Sequence, residues 1–381
     1  MKKVLVVGMV DSIHFARWIS QFDKSELEIV IFPSRRFRRI HPKLEYLLDH
    51  ELISWQNSSP KILRKFAGYM DFFLFETGMK WFFKSSRVDA LRKVLASNKF
   101  DFVHLIEFQH AGYLYLDLGF NSSKEWTAIL TNLGSDIFYY SKFPSHEMRI
   151  RELLSKVDAY SAECNRDYKL AREFGFKGVE LPLVPNAGGF DNNLFKTPRT
   201  PSCQRSEIFV KGYGGEFGLP ELVLETCEKF ISDYPDLKLN IVSVTPDLLS
   251  RVKALKSAHP SRVNYWTVKK PISHLEILNI LGRSLFYFGF SKSDGISTTF
   301  LEALIMGAYP IQTNTSCANE WIAKGFLAST VQIDAKEVFT LVDRIMSDRN
   351  IAAEAADKNF NLARELLDES YIRESSISYY K

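Results

Sequence analysis

The chain has 381 residues, of which 46% are hydrophobic and 25% charged, with a formal net charge of +4. That is enough apolar chain for two domains with separate cores, and it excludes a disordered or fibrous protein. Cys164, Cys203, Cys227 and Cys317 are scattered without zinc-ligand or thioredoxin-like spacing, so a reduced compartment without cysteine chemistry or a bound metal is expected.

The N-terminus opens Met1-Lys2-Lys3-Val4-Leu5-Val6-Val7-Gly8 and meets Asp11 too soon for the apolar core of a secretory signal. Residues 4–8 therefore read as a first strand. Phe15, Trp18, Ile19 and Phe22 then share one face of a helix. In the loop between them, Gly8 lets backbone approach a ligand closely, and Ser12 is placed to cap the helix.

A strand at 28–32 leads into Arg35-Arg36-Phe37-Arg38-Arg39. Residues 1–195 hold 27 Lys and Arg against 23 Asp and Glu, so this half carries the whole excess charge. More of the basic residues lie between 61 and 93, among Phe66, Tyr69, Met70, Phe72, Phe73, Phe75, Trp81, Phe82 and Phe83. Interleaved cations and aromatics suit an anionic membrane surface. A core-packed helix with a solvated basic face gives the same pattern, whereas a nucleic-acid module would want a fold motif that is absent. No apolar run approaches the roughly 20 residues needed to span a bilayer. A cytoplasmic protein is expected, peripheral on the inner face of the plasma membrane if the basic surface meets lipid.

Strands at 100–106 and 128–131 end in loops of mixed character. His104 sits in an apolar run, where a histidine is more often core than ligand, while Glu107 and His110 stand beyond it. Gly134-Ser135-Asp136 reads either as an Asx-type turn with a helix cap or as a ligand loop. After Val184-Pro185-Asn186, the segment Lys196-Thr197-Pro198-Arg199-Thr200-Pro201-Ser202 reads as a linker.

The second half repeats the alternation, with strands at 208–210, 239–244, 285–290 and 311–313 separated by helical segments. Strands alternating with helices give parallel sheets, whose ligands bind beyond the strands' carboxyl ends. Lys211-Gly212-Tyr213-Gly214-Gly215 follows the first of these strands, a glycine-rich turn with one cation. Asp294-Gly295-Ile296-Ser297-Thr298-Thr299-Phe300-Leu301-Glu302 joins the apolar run 284–290 to a helix ending at Gly307. A glycine and hydroxyls at a helix N-terminus suit a phosphate, because unpaired N–H groups and the positive dipole end point at the ligand. Asp294 and Glu302 would instead receive hydroxyls. The same stretch also fits an ordinary N-cap followed by a surface acid. Asn314 and Glu320 lie in the loop after the next strand.

The Asp294–Glu302 stretch resembles the Glu-x7-Glu motif of the retaining family 4 glycosyltransferases, and the order of motifs resembles that family along nearly the whole chain. The Gly-Ser-Asp turn is similar to that of a subset of it. The resemblance implies the GT-B fold, two Rossmann-like parallel-sheet domains facing across a cleft. It implies an acceptor-binding domain at 1–196, a nucleotide-sugar domain at 197–365 and a segment at 366–381 returning to the first. It implies that Asp294 meets the donor sugar, that Gly295, Ile296, Ser297 and Thr298 hold its diphosphate, and that Glu302 binds the ribose. Gly8, Gly212, Asn314 and Glu320 would complete the donor pocket, and Asp11, His14, Glu107 and His110 would face the acceptor. Lys211 stands in for an arginine of the family as diphosphate partner. Leu133 occupies the family's histidine position, which leaves Asp136 to orient the acceptor hydroxyl. No cofactor is called for. The expected activity is transfer of a sugar from a nucleoside diphosphate to a saccharide acceptor, lipid-linked and serving a bacterial surface polysaccharide. The rival readings are a nucleotide-sugar epimerase and a non-catalytic carbohydrate- or membrane-binding protein.

Overall fold

The computed structural model describes residues 1–23, 25–35, 37, 40–47, 81–119 and 124–381, the side chains of 45–47 and 81–86 excepted. The chain divides into two compact units. One comprises Met1–Gly189 with Ile372–Lys381, and the other is Phe190–Tyr371.

The first unit is built on six strands: β1 (Lys2–Gly8), β2 (Leu27–Pro33), β3 (Phe102–Ile106), β4 (Thr127–Thr131), β5 (Ala159–Ser161) and β6 (Val179–Glu180). They pair in the order β2-β1-β3-β4-β5-β6, every pairing parallel. Val4, Leu5, Val6 and Val7 are fully buried, as a central parallel strand covered on both faces must be. Alternate residues feed different cores: Val4 and Val6 pack with Phe15, Trp18 and Ile19, while Leu5 and Val7 pack with Leu91, Phe108 and Leu153.

The second unit repeats this plan with β7 (Glu207–Lys211), β8 (Lys238–Val244), β9 (Val263–Thr267), β10 (Ser284–Gly289), β11 (Tyr309–Thr313) and β12 (Ser329–Val331). Their order is β12-β11-β10-β7-β8-β9, again all parallel. Phe286 and Phe288 enter one core, Tyr287 the other.

The eight strands expected from the sequence form close to their expected bounds. The largest departures are two residues, at the starts of β1, β3 and β11; at β3 the Asp101 carboxylate accepts the Lys3 amide at 2.8 Å and the strand begins at Phe102. Four strands were not anticipated. Three of them, β5, β6 and β12, have only two or three residues, too few to show periodicity.

Strand order fixes where loops converge. In the first sheet the chain reverses direction between β1 and β3, and in the second between β7 and β10. At such a switch point the loops after the two central strands splay to opposite sides and leave a crevice at the carboxyl edge. The loops concerned begin at Gly8 and Glu107 in one unit, and after Lys211 and Gly289 in the other.

The C-terminal residues close the first unit. Tyr379 lies 5.3 Å from the Trp18 ring, and Tyr380 lies 5.7 Å from Phe22 and 5.6 Å from Phe102. His104 Nδ1 is 2.7 Å from the Tyr380 hydroxyl, and its Nε2 is 2.6 Å from Thr131 Oγ1. With both ring nitrogens so engaged, His104 is a core residue. Burial depresses its pKa to about 3.

Candidate functional site

In the second unit, the Thr298–Met306 helix starts directly behind the β10 loop and ends on Gly307, whose φ of +80° makes it a left-handed C-cap. Ser297 holds the N-cap position with extended backbone, yet its side chain caps nothing in the helix. Its Oγ stands 3.5 Å from Lys211 Nζ and 3.3 Å from the Tyr287 hydroxyl. The amides of the first helical turn are therefore not consumed by their own N-cap side chain. The preceding loop is anchored from behind: Thr313 Oγ1 donates to the Ser291 carbonyl at 2.9 Å, and the Cys317 amide donates to the Gly295 carbonyl at 2.8 Å.

Lys211 closes this arrangement from the end of β7, with its ammonium 4.5 Å from the centre of the Tyr213 ring. Burial alone would lower its pKa, but the fields of Tyr287, Asp294, Tyr213 and Glu302 outweigh it and leave the pKa raised. Lys211 is thus a cation at neutral pH. Glu302 lies about one turn into the helix and is 3% exposed, among neighbours Phe300, Leu301, Ala303 and Leu304 that are fully buried. His274 Nε2 donates to Glu302 Oε1 at 2.7 Å. Asp294 and Thr298 are half-buried, Ile296 is buried, and Asn314 is exposed on the next loop with Glu320 half-buried behind it. An ammonium, a helix N-terminus and two carboxylates thus share one switch point, the equipment for a pyrophosphate with hydroxyl-bearing rings on either side.

Gly212 has an internal reason to be glycine. A Cβ there would meet Ile241 Cγ2 and Val244 Cγ2 at 3.0 Å. Gly8 is similar, since a Cβ would come within 2.2 Å of the Phe15 ring. At both positions the protein's own packing therefore requires a glycine.

At the first unit's switch point, Glu107 has φ +80° and ψ 153°, a region that is almost exclusively glycine's. Its carboxylate accepts the amides of His110 at 2.8 Å and Ala111 at 2.5 Å, and lies 3.2 Å from His110 Nδ1. Asp136 reaches the same turn from the next strand, accepting the amides of Phe108 at 3.1 Å and Leu133 at 2.9 Å. Burial, and then the charge of Glu107, raise the Asp136 pKa well above the usual carboxylate range. The structure brings Glu107, His110 and Asp136 together. Asp11 instead faces Arg35, 3.1 Å away, and His14 is exposed on the first turn of the Ile13–Ser20 helix. Ser12 occupies that helix's N-cap position without a side-chain bond.

Three features escaped the sequence reading. His274 is placed by Ser273, whose hydroxyl caps the His274–Arg283 helix through the Glu276 amide at 3.2 Å; the Ser-x-x-Glu spacing was the available signal. Tyr287 reaches the site because strand alternation turns it away from Phe286 and Phe288. Finally, Tyr113, His146, Tyr140, Phe143 and Tyr139 form a continuous series of ring contacts with centroids 5.0 to 6.4 Å apart.

Arg36, Arg38, Arg39 and residues 61–80, which carry much of the expected membrane-facing surface, lie outside the described residues. Among the described residues no helix is long and apolar enough to cross a membrane. A cavity of about 1140 Å³ opens at the amino-terminal edge of the first sheet, lined by Lys2, Phe102, Trp126 and Tyr379 among others. Lys2 there pairs with Asp101 at 3.3 Å and Lys124 with Asp158 at 2.5 Å.

No family model and no curated protein matches the sequence. Solved structures do match along the full chain. Sucrose-phosphate synthase from Thermosynechococcus elongatus shares 14% identity at a TM-score of 0.68, covering 100% of this chain and 98% of that one. HepE from Anabaena, in complex with UDP-glucose, shares 11% identity at 0.67, covering 100% and 99%. A glycosyltransferase from Rickettsia africae shares 14% identity at 0.65, covering 100% and 98%. A Listeria monocytogenes chain described as a UDP-N-acetylglucosamine 2-epimerase matches as well, at 0.58. At these identities the likeness speaks for architecture, and the chain has the GT-B fold.

Proposed function

We propose that the protein is a glycosyltransferase that takes a sugar from a nucleoside diphosphate and passes it to a hydroxyl of a saccharide acceptor. The observation that carries this reading is Lys211 beside Ser297 at the uncapped start of the Thr298–Met306 helix, with Asp294 and Glu302 on either side. The second unit holds the donor. Its diphosphate lies on the helix amides and Lys211, Asp294 takes a hydroxyl of the transferred sugar, and Glu302 takes the ribose. Negative charge grows on the diphosphate as the glycosidic bond breaks. Fixed donors aimed at that charge need no reorganisation during reaction and supply a large share of the rate.

The first unit holds the acceptor at Glu107, His110 and Asp136. Attack from the face of departure retains anomeric configuration, as the family resemblance implies. The basic and aromatic composition of residues 35–93 supports an acceptor presented at a membrane, such as a lipid-linked saccharide for a bacterial surface polysaccharide. The test is a panel of nucleotide sugars incubated with lipid-extracted acceptors, with products read by mass. A glycosylated acceptor that forms with wild type and not with Lys211→Met is expected. Turnover of donor with no acceptor present would favour the second reading, an epimerase, a class represented among the structural matches. Absence of nucleotide binding would remove both.

A further inference from the structure

Glu302 is an unusual residue to bury. It is the acid of a helix whose residues from Phe300 to Met306 are otherwise apolar and buried. An ionised carboxylate in such a place loses its hydration, and replacing a buried charged pair by apolar groups often costs a fold nothing. A carboxylate kept there calls for another reason, and the geometry around it supplies one. His274 Nε2 donates to Oε1 at 2.7 Å, with the His274 side chain 56% exposed and that of Glu302 4% exposed. The histidine thus stands on the solvent side of the acid. Its own position is fixed, since it opens the His274–Arg283 helix directly after the Ser273 cap. Glu302 also contributes to the field that holds Lys211 charged.

We infer that His274 is a positioning residue for the donor's nucleoside: by engaging Oε1 it holds the Glu302 carboxylate in one orientation for the ribose diol. This deepens the proposed function and rests on the reading of Glu302 as the ribose acceptor. A rotamer-rich glutamate held in one orientation before the ligand arrives loses less freedom on binding. A purely structural hydrogen bond between two helices would make no distinction among nucleotides.

The test compares a nucleoside diphosphate with its 2′,3′-dideoxy counterpart by calorimetry, using whichever of UDP, GDP and ADP binds wild type best. Wild type should prefer the ribose form by about tenfold or more, the value of a hydrogen bond to a charged group. His274→Ala should reduce that preference to about twofold through weaker binding of the ribose form, with dideoxy affinity unchanged. His274→Gln, whose amide N–H can still donate to Glu302, should keep most of the preference; should His274→Ala fail to fold, His274→Leu, which fills the space without a donor, takes its place with the same expected loss. An alanine variant that preserves the ratio, or loses both ligands equally, overturns the role of His274 alone. A wild type indifferent to the ribose hydroxyls overturns the role of Glu302 and with it this inference. A protein that binds none of the three diphosphates overturns the donor site itself.

Discussion

Lys211 Nζ and Ser297 Oγ stand 3.5 Å apart although 86 positions separate them in sequence. They meet because β7 and β10 are neighbours at the point where the sheet reverses its order, and each contributes the loop beyond its carboxyl end. Lys211→Met keeps the stem and deletes the charge. We expect it to weaken nucleoside-diphosphate binding about ten- to a hundredfold while leaving the free nucleoside unaffected, as read by calorimetry.

Asp294 is a methylene shorter than the glutamate of the motif it resembles. Asp294→Asn should lower the turnover rate about tenfold or more with diphosphate affinity within about twofold, because the residue is assigned to the transferred sugar and not to the phosphates. Steady-state kinetics with separate donor binding checks this; parallel losses in both would move Asp294 to the diphosphate.

Glu107 should respond to substitution against habit. Glu107→Ala removes the carboxylate that caps His110 and Ala111 yet leaves a Cβ at φ +80°. Glu107→Gly removes the same cap and relieves the backbone. The glycine variant is expected to be more stable than the alanine variant by about 1 kcal/mol or more, seen as a higher denaturation midpoint in urea.

His104 predicts an acid response. Its folded pKa of about 3 lies below the ordinary 6.5, so between those values the unfolded chain binds a proton that the folded chain refuses. Stability from this group is complete above pH 6.5 and is lost as pH falls from there towards 3. Replacing it with glutamine should flatten the decline by up to about 1.4 kcal/mol per pH unit in that window. Tyr380→Phe, which strips His104 Nδ1 of its hydroxyl partner, should cost about 1–3 kcal/mol at neutral pH in thermal or urea unfolding.

Much of the scaffold was legible because long parallel strands are covered on both faces and must be apolar throughout, as 4–8 and 285–290 are. The Asp294–Glu302 stretch was legible because capping chemistry and helix periodicity are local. Arg205 shows what was not. It is 3% exposed and donates to the carbonyls of Thr200, Ser284 and Met306, so a residue beside the linker fastens the far end of the site helix. The pairing of His274 with Glu302, 28 positions on, is equally invisible without the fold that joins them. Glu107 was hidden for another reason: nothing in a glutamate announces a backbone angle that belongs to glycine.

The placement of Ile372–Lys381 within the first unit has a consequence for synthesis. The segment Phe190–Tyr371 is continuous and can fold as it leaves the ribosome, whereas the sheet made earlier waits with the slot beside Trp18, Phe22 and His104 unfilled until Ile372–Lys381 emerge. Translation order and order of completion are thus reversed for the two units: a chain stopped short of Tyr379 carries a finished second unit and a first unit still open.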